Sequence, residues 1–193
     1  TYDPLRQITS EVGKTHSRRY LHDSTSNRVM DGDVRWEFNP LDELEHAGNM
    51  TFTYDFNGDM RGQESDQGST LYSYDALNRL VQFERGDTRV SLIYDALGRK
   101  VGKTLYTRLN DSWKESAGES YFYDGKEDIG SLNSSGEVMQ LRILGIPKRV
   151  TPSTIAIELT GTAYAALQDS QGSIRRLVKM KSRQDALDYL YTS

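Results

Sequence analysis

The sequence predicts an all-β fold, an antiparallel sheet of repeated β-hairpins that curls. Three observations carry that expectation. First, one stretch recurs three times: Tyr54-Asp55-Phe56-Asn57-Gly58-Asp59-Met60, Tyr74-Asp75-Ala76-Leu77-Asn78-Arg79-Leu80 and Tyr94-Asp95-Ala96-Leu97-Gly98-Arg99-Lys100. The tyrosines stand 20 residues apart, and a fixed period of about 20 marks a repeat architecture. Second, the residues between the copies alternate and have strand composition, as in Thr51-Phe52-Thr53-Tyr54, Leu71-Tyr72-Ser73-Tyr74 and Val90-Ser91-Leu92-Ile93-Tyr94. Third, apolar residues make up only 36% of the chain while tyrosine occurs 12 times, which suits a sheet with a wet face better than a deep globular core.

Each copy reads as strand, tight turn, strand. The Asp side chain accepts from backbone N–H groups ahead of it, and Gly58, Asn78 or Gly98 then closes the loop in the left-handed conformation. Asp55, Asp75 and Asp95 are therefore expected at equivalent hairpin corners, with Gly58, Asn78 and Gly98 at positive φ. Tyr54, Tyr74 and Tyr94 are read as cross-strand packing residues. Arg79 and Arg99 are expected to pair with acidic neighbours on the next hairpin.

Residues 1–50 carry looser copies. Tyr2-Asp3-Pro4-Leu5 keeps the corner without a glycine, Tyr20-Leu21-His22-Asp23 leads into a polar turn, and Phe38-Asn39-Pro40-Leu41 substitutes Phe and Asn for Tyr and Asp. Taken from Tyr2, Tyr20, Phe38 and Tyr54, the spacings are 18, 18 and 16. Residues 107–120 break the period and read as a long surface loop, with Trp113 as a packing anchor. Beyond them, Tyr123-Asp124-Gly125 opens a different section. Strands are expected around Ser134-Ser135-Gly136, over Leu141–Leu144, Ile155–Leu159 and Ala163–Leu167, and after the turn at Asp169-Ser170-Gln171-Gly172. A final strand is expected within Asp185–Tyr191.

Bulk properties exclude several classes. A net charge of −4 argues against a nucleic-acid surface. No run of 18 apolar residues suggests a membrane span. There is no cysteine, so disulfide and thiol chemistry are absent. His16, His22 and His46 show no metal-ligand spacing, and no Gly-x-Ser-x-Gly elbow is present. Asp55-x-Asn57-Gly58-Asp59 has oxygen donors at alternate positions, as calcium loops do, but the bidentate Glu is missing in register and a hairpin turn explains the same residues. No catalytic residue, cofactor or metal is called for.

The Tyr-Asp-x-x-Gly/Asn-Arg motif at this period resembles the YD repeats of the Rhs protein family. That family includes bacterial Rhs toxins, the C components of insecticidal toxin complexes and the teneurins. Tyr123-Asp124-Gly125, the hairpin at Ser134-Ser135-Gly136 and Asp169-Ser170-Gln171-Gly172-Ser173-Ile174-Arg175 resemble its Rhs-associated core segment. The resemblance implies a YD-repeat region over 1–120 and an incomplete core segment over 121–193. It also implies a sheet that forms a segment of a spiral β-shell, with the core segment plugging one end. The partners implied are flanking YD repeats and a C-terminal toxin domain of the parent chain. The function implied is structural and non-enzymatic: toxin encapsulation or presentation by a secreted or cell-surface protein. No residue here matches the family's self-cleavage segment. The alternative is an adhesion or carbohydrate-binding module using the same sheet. An isolated piece of such a sheet is expected to associate edge to edge, because unpaired strands template further pairing.

Overall fold

The computed structural model describes residues 1–13, 16–145, 154–169, 173–180 and 186–188. Among them there is no helix. The strands fall into two units, Thr1–Arg89 and Val90–Ser193. In the first, β1 (Ser10–Val12), β2 (Ser17–His22), β3 (Arg28–Asp31), β4 (Val34–Phe38), β5 (Leu44–Ala47), β6 (Met50–Tyr54), β7 (Met60–Ser65), β8 (Gly68–Tyr74) and β9 (Leu80–Arg85) follow one another. Each pairs antiparallel with its neighbour in the chain. β10 (Thr88–Tyr94) leads into the second unit, with β11 (Lys100–Leu109), β12 (Ser112–Asp124), β13 (Glu127–Asn133), β14 (Val138–Leu144), β15 (Thr154–Leu159), β16 (Thr162–Gln168), β17 (Ile174–Lys179) and β18 (Ala186–Asp188). From β11 onward the same neighbour-to-neighbour antiparallel pairing holds. The antiparallel hairpin architecture expected from the sequence is the one observed.

Strand length follows the repeat period. β3 to β6 have 4, 5, 4 and 5 residues, whereas β7 to β10 have 6, 7, 6 and 7. From β2 onward, two kinds of turn join the strands of the first unit in alternation. One is a two-residue turn, as at Gly32-Asp33 and Asp66-Gln67. The other is a longer corner headed by Asp or Asn.

Residues 107–120 correct the loop expectation. They are the far half of a long hairpin, β11 with β12, closed by Asn110 (φ 48°) and Asp111 (φ 59°). Two consecutive left-handed residues match the twist of the flanking strands, and Asn and Asp tolerate that conformation. Both faces of this hairpin tip are largely exposed, so apart from Leu109 and Trp113 its side chains are polar and show no apolar alternation. Trp113 sits opposite Arg108, whose guanidinium lies 6.0 Å from its ring centre. The aromatic is thus anchored to its own hairpin.

The expected strands after residue 121 are present as β13 to β17. Of the final predicted strand, Ala186–Asp188 pairs with β17, while 185 and 189–191 lie outside the described residues. So do 170–172 of the predicted turn.

Burial is sparse. Tyr20, Ala47, Val90, Ile157 and Leu177 are the buried apolar side chains among the described residues. Pairing of backbone, and locks at the strand ends, must therefore carry more of the order than a core does.

Candidate functional site

The chemistry of this chain is concentrated at its corners. Six of them, headed by Asp3, Asp23, Asn39, Asp55, Asp75 and Asp95, share one scheme. The heading amide donates to the carbonyl four residues on, at 2.9–3.0 Å. The residue three on donates back to the heading carbonyl, at 3.0–3.2 Å. The amide four on donates to the heading side-chain Oδ1, at 2.8–3.1 Å. In five corners the amide two on also donates to that oxygen, at 2.9 Å.

The residue three on is always left-handed: Arg6 (63°), Ser26 (75°), Asp42 (61°), Gly58 (82°), Asn78 (57°) and Gly98 (78°). Glycine adopts this conformation freely, while arginine and serine do so at a cost of about 1 kcal/mol. The same corner recurs at Asn133, with Gly136 at φ 79°. At Asp169 the Ser173 amide donates to Oδ1.

These corners revise the register of the early copies. The second corner is headed by Asp23, not Tyr20, and His22 takes the place before it that Tyr2, Phe38, Tyr54, Tyr74 and Tyr94 hold at the others of the six. Corner to corner, the spacings are 20, 16, 16, 20 and 20.

At six of these eight corners, all but Asp3 and Asp23, the second polar atom of the heading residue has a partner of opposite sense. Arg79 Nε and Nη2 donate to Asp75 Oδ2 at 2.8 and 2.7 Å. Arg99 Nε donates to Asp95 Oδ2 at 2.7 Å. Arg175 does so to Asp169 at 2.8 Å, and Arg61 lies 3.9 Å from Asp55. Where the heading residue is asparagine, the partner is glutamate. Asn39 Nδ2 donates to Glu43 at 2.6 Å, and Asn133 Nδ2 to Glu137 at 2.8 Å. Arg79 and Arg99 therefore bind the aspartate of their own corner, which corrects the expected pairing with the next hairpin. The turn returns the chain so that the residue four on stands beside the carboxylate. The Arg79 hydrogen bond holds the Asp75 carboxyl below its usual range.

The tyrosines before the corners reach sideways. Tyr54 Oη donates to the carbonyl of Leu44 at 3.0 Å, and Tyr123 Oη to that of Lys100 at 2.7 Å. Leu44 and Lys100 each begin the strand that leaves the preceding corner, five residues after Asn39 and Asp95. The hydroxyl thus clamps one hairpin to its predecessor. Burial, then the charge of Glu43, raises the Tyr54 pKa, so the phenol stays a donor. Tyr123→Phe is expected to lose about 1 kcal/mol of stability, the net value of one such bond, and chemical denaturation would measure it.

Tyr123-Asp124-Gly125 departs from the scheme. Asp124 pairs with Glu127 across a two-residue turn that starts at Gly125 (φ 59°). Arg99 joins this turn to the Asp95 corner, donating to the Gly125 carbonyl and lying 4.8 Å from the Tyr123 ring centre. Tyr74 senses Asp59 and Asp55 of the corner before it, and burial first of all raises its pKa.

One cluster was not anticipated. Lys103 Nζ lies 2.8 Å from Glu119, which also accepts from Tyr121 Oη at 2.8 Å. Burial opposes ionisation of Glu119. Lys103, the buried Ser131 and Tyr121 outweigh it and hold the carboxyl to about 2. The folded value lies below the ordinary 4.5, so this stabilisation is complete above pH of about 4.5 and is lost as pH falls toward 2. Glu119→Gln is expected to flatten that part of the stability-against-pH profile. The Lys103–Glu119 pairing follows by counting back from the Asn110-Asp111 turn through one bulge, so the turn was the missed signal. Asp55 Oδ1 is occupied by amides, and among the described residues no three His, Cys, Asp or Glu side chains are placed to hold a metal.

A family model described as Teneurin YD-shell matches residues 1–113. No curated protein matches the sequence. Among solved structures, the Tc holotoxin pore of Photorhabdus luminescens is similar with a TM-score of 0.51 at 8% identity, over 93% of this chain and 14% of that one. A TcdB2-TccC3-TEV crystal structure gives a TM-score of 0.45 at 15% identity, over 93% and 10%. At 8% identity the likeness to the holotoxin pore is one of fold, and the chain spans only 10–14% of the length of these two chains.

Proposed function

The chain belongs to the Teneurin YD-shell family, and from that premise we propose that it is a length of non-catalytic shell wall enclosing a C-terminal toxin domain of the same polypeptide. The observation that supports this reading best is the clamp between successive corners. A hydroxyl from each clamping tyrosine fixes its hairpin to the one before, so the ordered edge grows by addition of like units. At the Asp55, Asp75, Asp95 and Asp169 corners the ionisable groups are spent on one another, as structural joints require. On this reading 1–120 is repeat wall and 121–193 the start of the core segment. The change from a five-residue corner to a two-residue turn at Asp124 supports a boundary there. A secreted or cell-surface location goes with the same proposal.

Protease protection of the parent polypeptide tests it. The segment downstream of the wall should resist digestion in the intact protein and become cleavable when Asp75 and Asp95 are both changed to alanine. Equal cleavage in both would refute enclosure.

Leu5, Leu41, Phe56 and Leu77 project from corner tips and are 75%, 78%, 111% and 72% exposed. Apolar groups placed this way favour contact with more protein. The isolated segment is therefore expected to self-associate, and a constant monomer mass across a sedimentation series would count against this.

A further inference from the structure

Of the seven asparagines in the chain, one is followed by glycine, at Asn57-Gly58. Both residues are exposed at the tip of the Asp55 corner. Glycine has no side chain to shield its amide nitrogen from the carboxamide before it. Asn27, Asn39, Asn49 and Asn133 hold their carboxamides in hydrogen bonds. Among the described residues the Asn57 carboxamide has no such partner.

The corner that carries this pair is loosely locked. Arg79 and Arg99, four residues after Asp75 and Asp95, close on those carboxylates at 2.7 Å. Asp59 holds the matching position after Asp55. It brings a second carboxylate, whose Oδ2 is out of water and without a hydrogen bond. Arg61 stands 3.9 Å from Asp55. The Glu43 carboxylate also faces the turn, with Oε1 3.2 Å from where a Cβ on Gly58 would stand. Three carboxylates thus surround the turn, and their mutual repulsion favours its opening. The bond that holds the Gly58 amide, to the Asp55 carbonyl at 3.1 Å, has no close ion pair behind it.

We propose that Asn57-Gly58 is a site of spontaneous deamidation and isomerisation, and that the reaction unlocks the Asp55 corner. When the turn opens, the Gly58 amide leaves the Asp55 carbonyl and gives its proton to solvent. Its nitrogen bonds to Cγ of Asn57, the Cγ–Nδ2 bond breaks, and ammonia leaves with a proton from water. Water then hydrolyses the five-membered imide. Cleavage at Cγ leaves aspartate. Cleavage at the main-chain carbonyl of residue 57 leaves isoaspartate, in which the backbone runs through the side chain and is one methylene longer. Three hydrogen bonds of the corner span that link, from Asp55 to residues 58 and 59. The longer backbone cannot keep them, and the aspartate product sets a fourth carboxylate at the turn.

The test incubates the whole chain at mildly alkaline pH beside the same chain unfolded in urea. Mass spectrometry of digests follows both. The peptide that holds Asn57 should gain about 1 Da and separate into aspartate and isoaspartate forms. Opening of an exposed turn costs little, so the folded chain should convert at no less than about a tenth of the unfolded rate. A slower rate, or aspartate without isoaspartate, overturns the proposal. Two variants test the lock. Asp59→Arg recreates the pairing of Asp75 with Arg79 and should slow both hydrogen exchange of the Gly58 amide and conversion of Asn57, each by about fivefold. Asp55→Ala removes the acceptor for two amides and should speed both. Conversion that fails to track exchange across the two variants overturns the role assigned to opening of the corner.

Discussion

Gly130→Ala is expected to destabilise the second unit by about 3 kcal/mol, at the upper end of what overpacking costs. Gly130 lies in the middle of β13, with Phe122 on one side and Leu141 on the other. A Cβ there would stand 2.5 Å from the Gln140 carbonyl oxygen and closer still to the Phe122 ring. The ring could turn. The carbonyl belongs to the β13–β14 ladder and cannot move without breaking pairs on that side. Gly102→Ala provides the contrast. Its Cβ would meet Ile93 at 3.4 Å, an ordinary contact, and removing a strand glycine favours folding by about 0.5 kcal/mol. Equilibrium unfolding of the two variants should therefore move in opposite directions. Similar small changes for both would show that the β13 ladder yields more than its geometry implies.

Asn39→Ala is expected to cost about 2 kcal/mol, because it removes the acceptor for two amides and the donor to Glu43 together. The more telling variant is Asn39→Asp. It keeps the amide acceptor but sets a second carboxylate against Glu43, so it should also destabilise. Adding Glu43→Arg recreates the pair seen at Asp75 and Arg79, and should recover most of the loss. A double-mutant cycle over these positions should give a favourable coupling of about 1 kcal/mol. An additive cycle would mean that the two polar atoms of the heading residue act independently of what stands four residues on.

Much of this arrangement was legible because it is local. An Asp or Asn bonded to amides two and four residues on leaves its mark within five letters, and so Asp55, Asp75 and Asp95 could be placed from spacing alone. Where tyrosine served as the marker the reading slipped. At the second corner the aromatic position holds His22, and the tyrosine at 20 lies two residues too early. The turn is made by the Asx side chain, and the residue before it takes no part in the turn's own hydrogen bonds. The β11–β12 tip escaped notice because it has no dry face, and apolar alternation is a signal of burial rather than of strand. The clamps from Tyr54 to Leu44 and from Tyr123 to Lys100 were beyond reach. They depend on which strands become neighbours and in what register. The exchange of Arg for Glu between Asp and Asn corners was present in the letters, and only the shared geometry shows that the two pairings are equivalent.

The two repeat periods of 16 and 20 have a consequence for how such a chain can change length. They differ by four residues, two for each strand of the hairpin, as the strand lengths of 4 and 5 against 6 and 7 show. A change of two keeps every side chain on its own face, whereas a change of one would invert the remainder of the strand. Insertions and deletions are thus tolerated only in even steps, each altering the local height of the sheet by about 7 Å. Whole hairpins can be duplicated or lost between corners, because every corner carries its own lock. Genetic drift in this chain is confined to a coarse ruler whose smallest mark is a pair of residues.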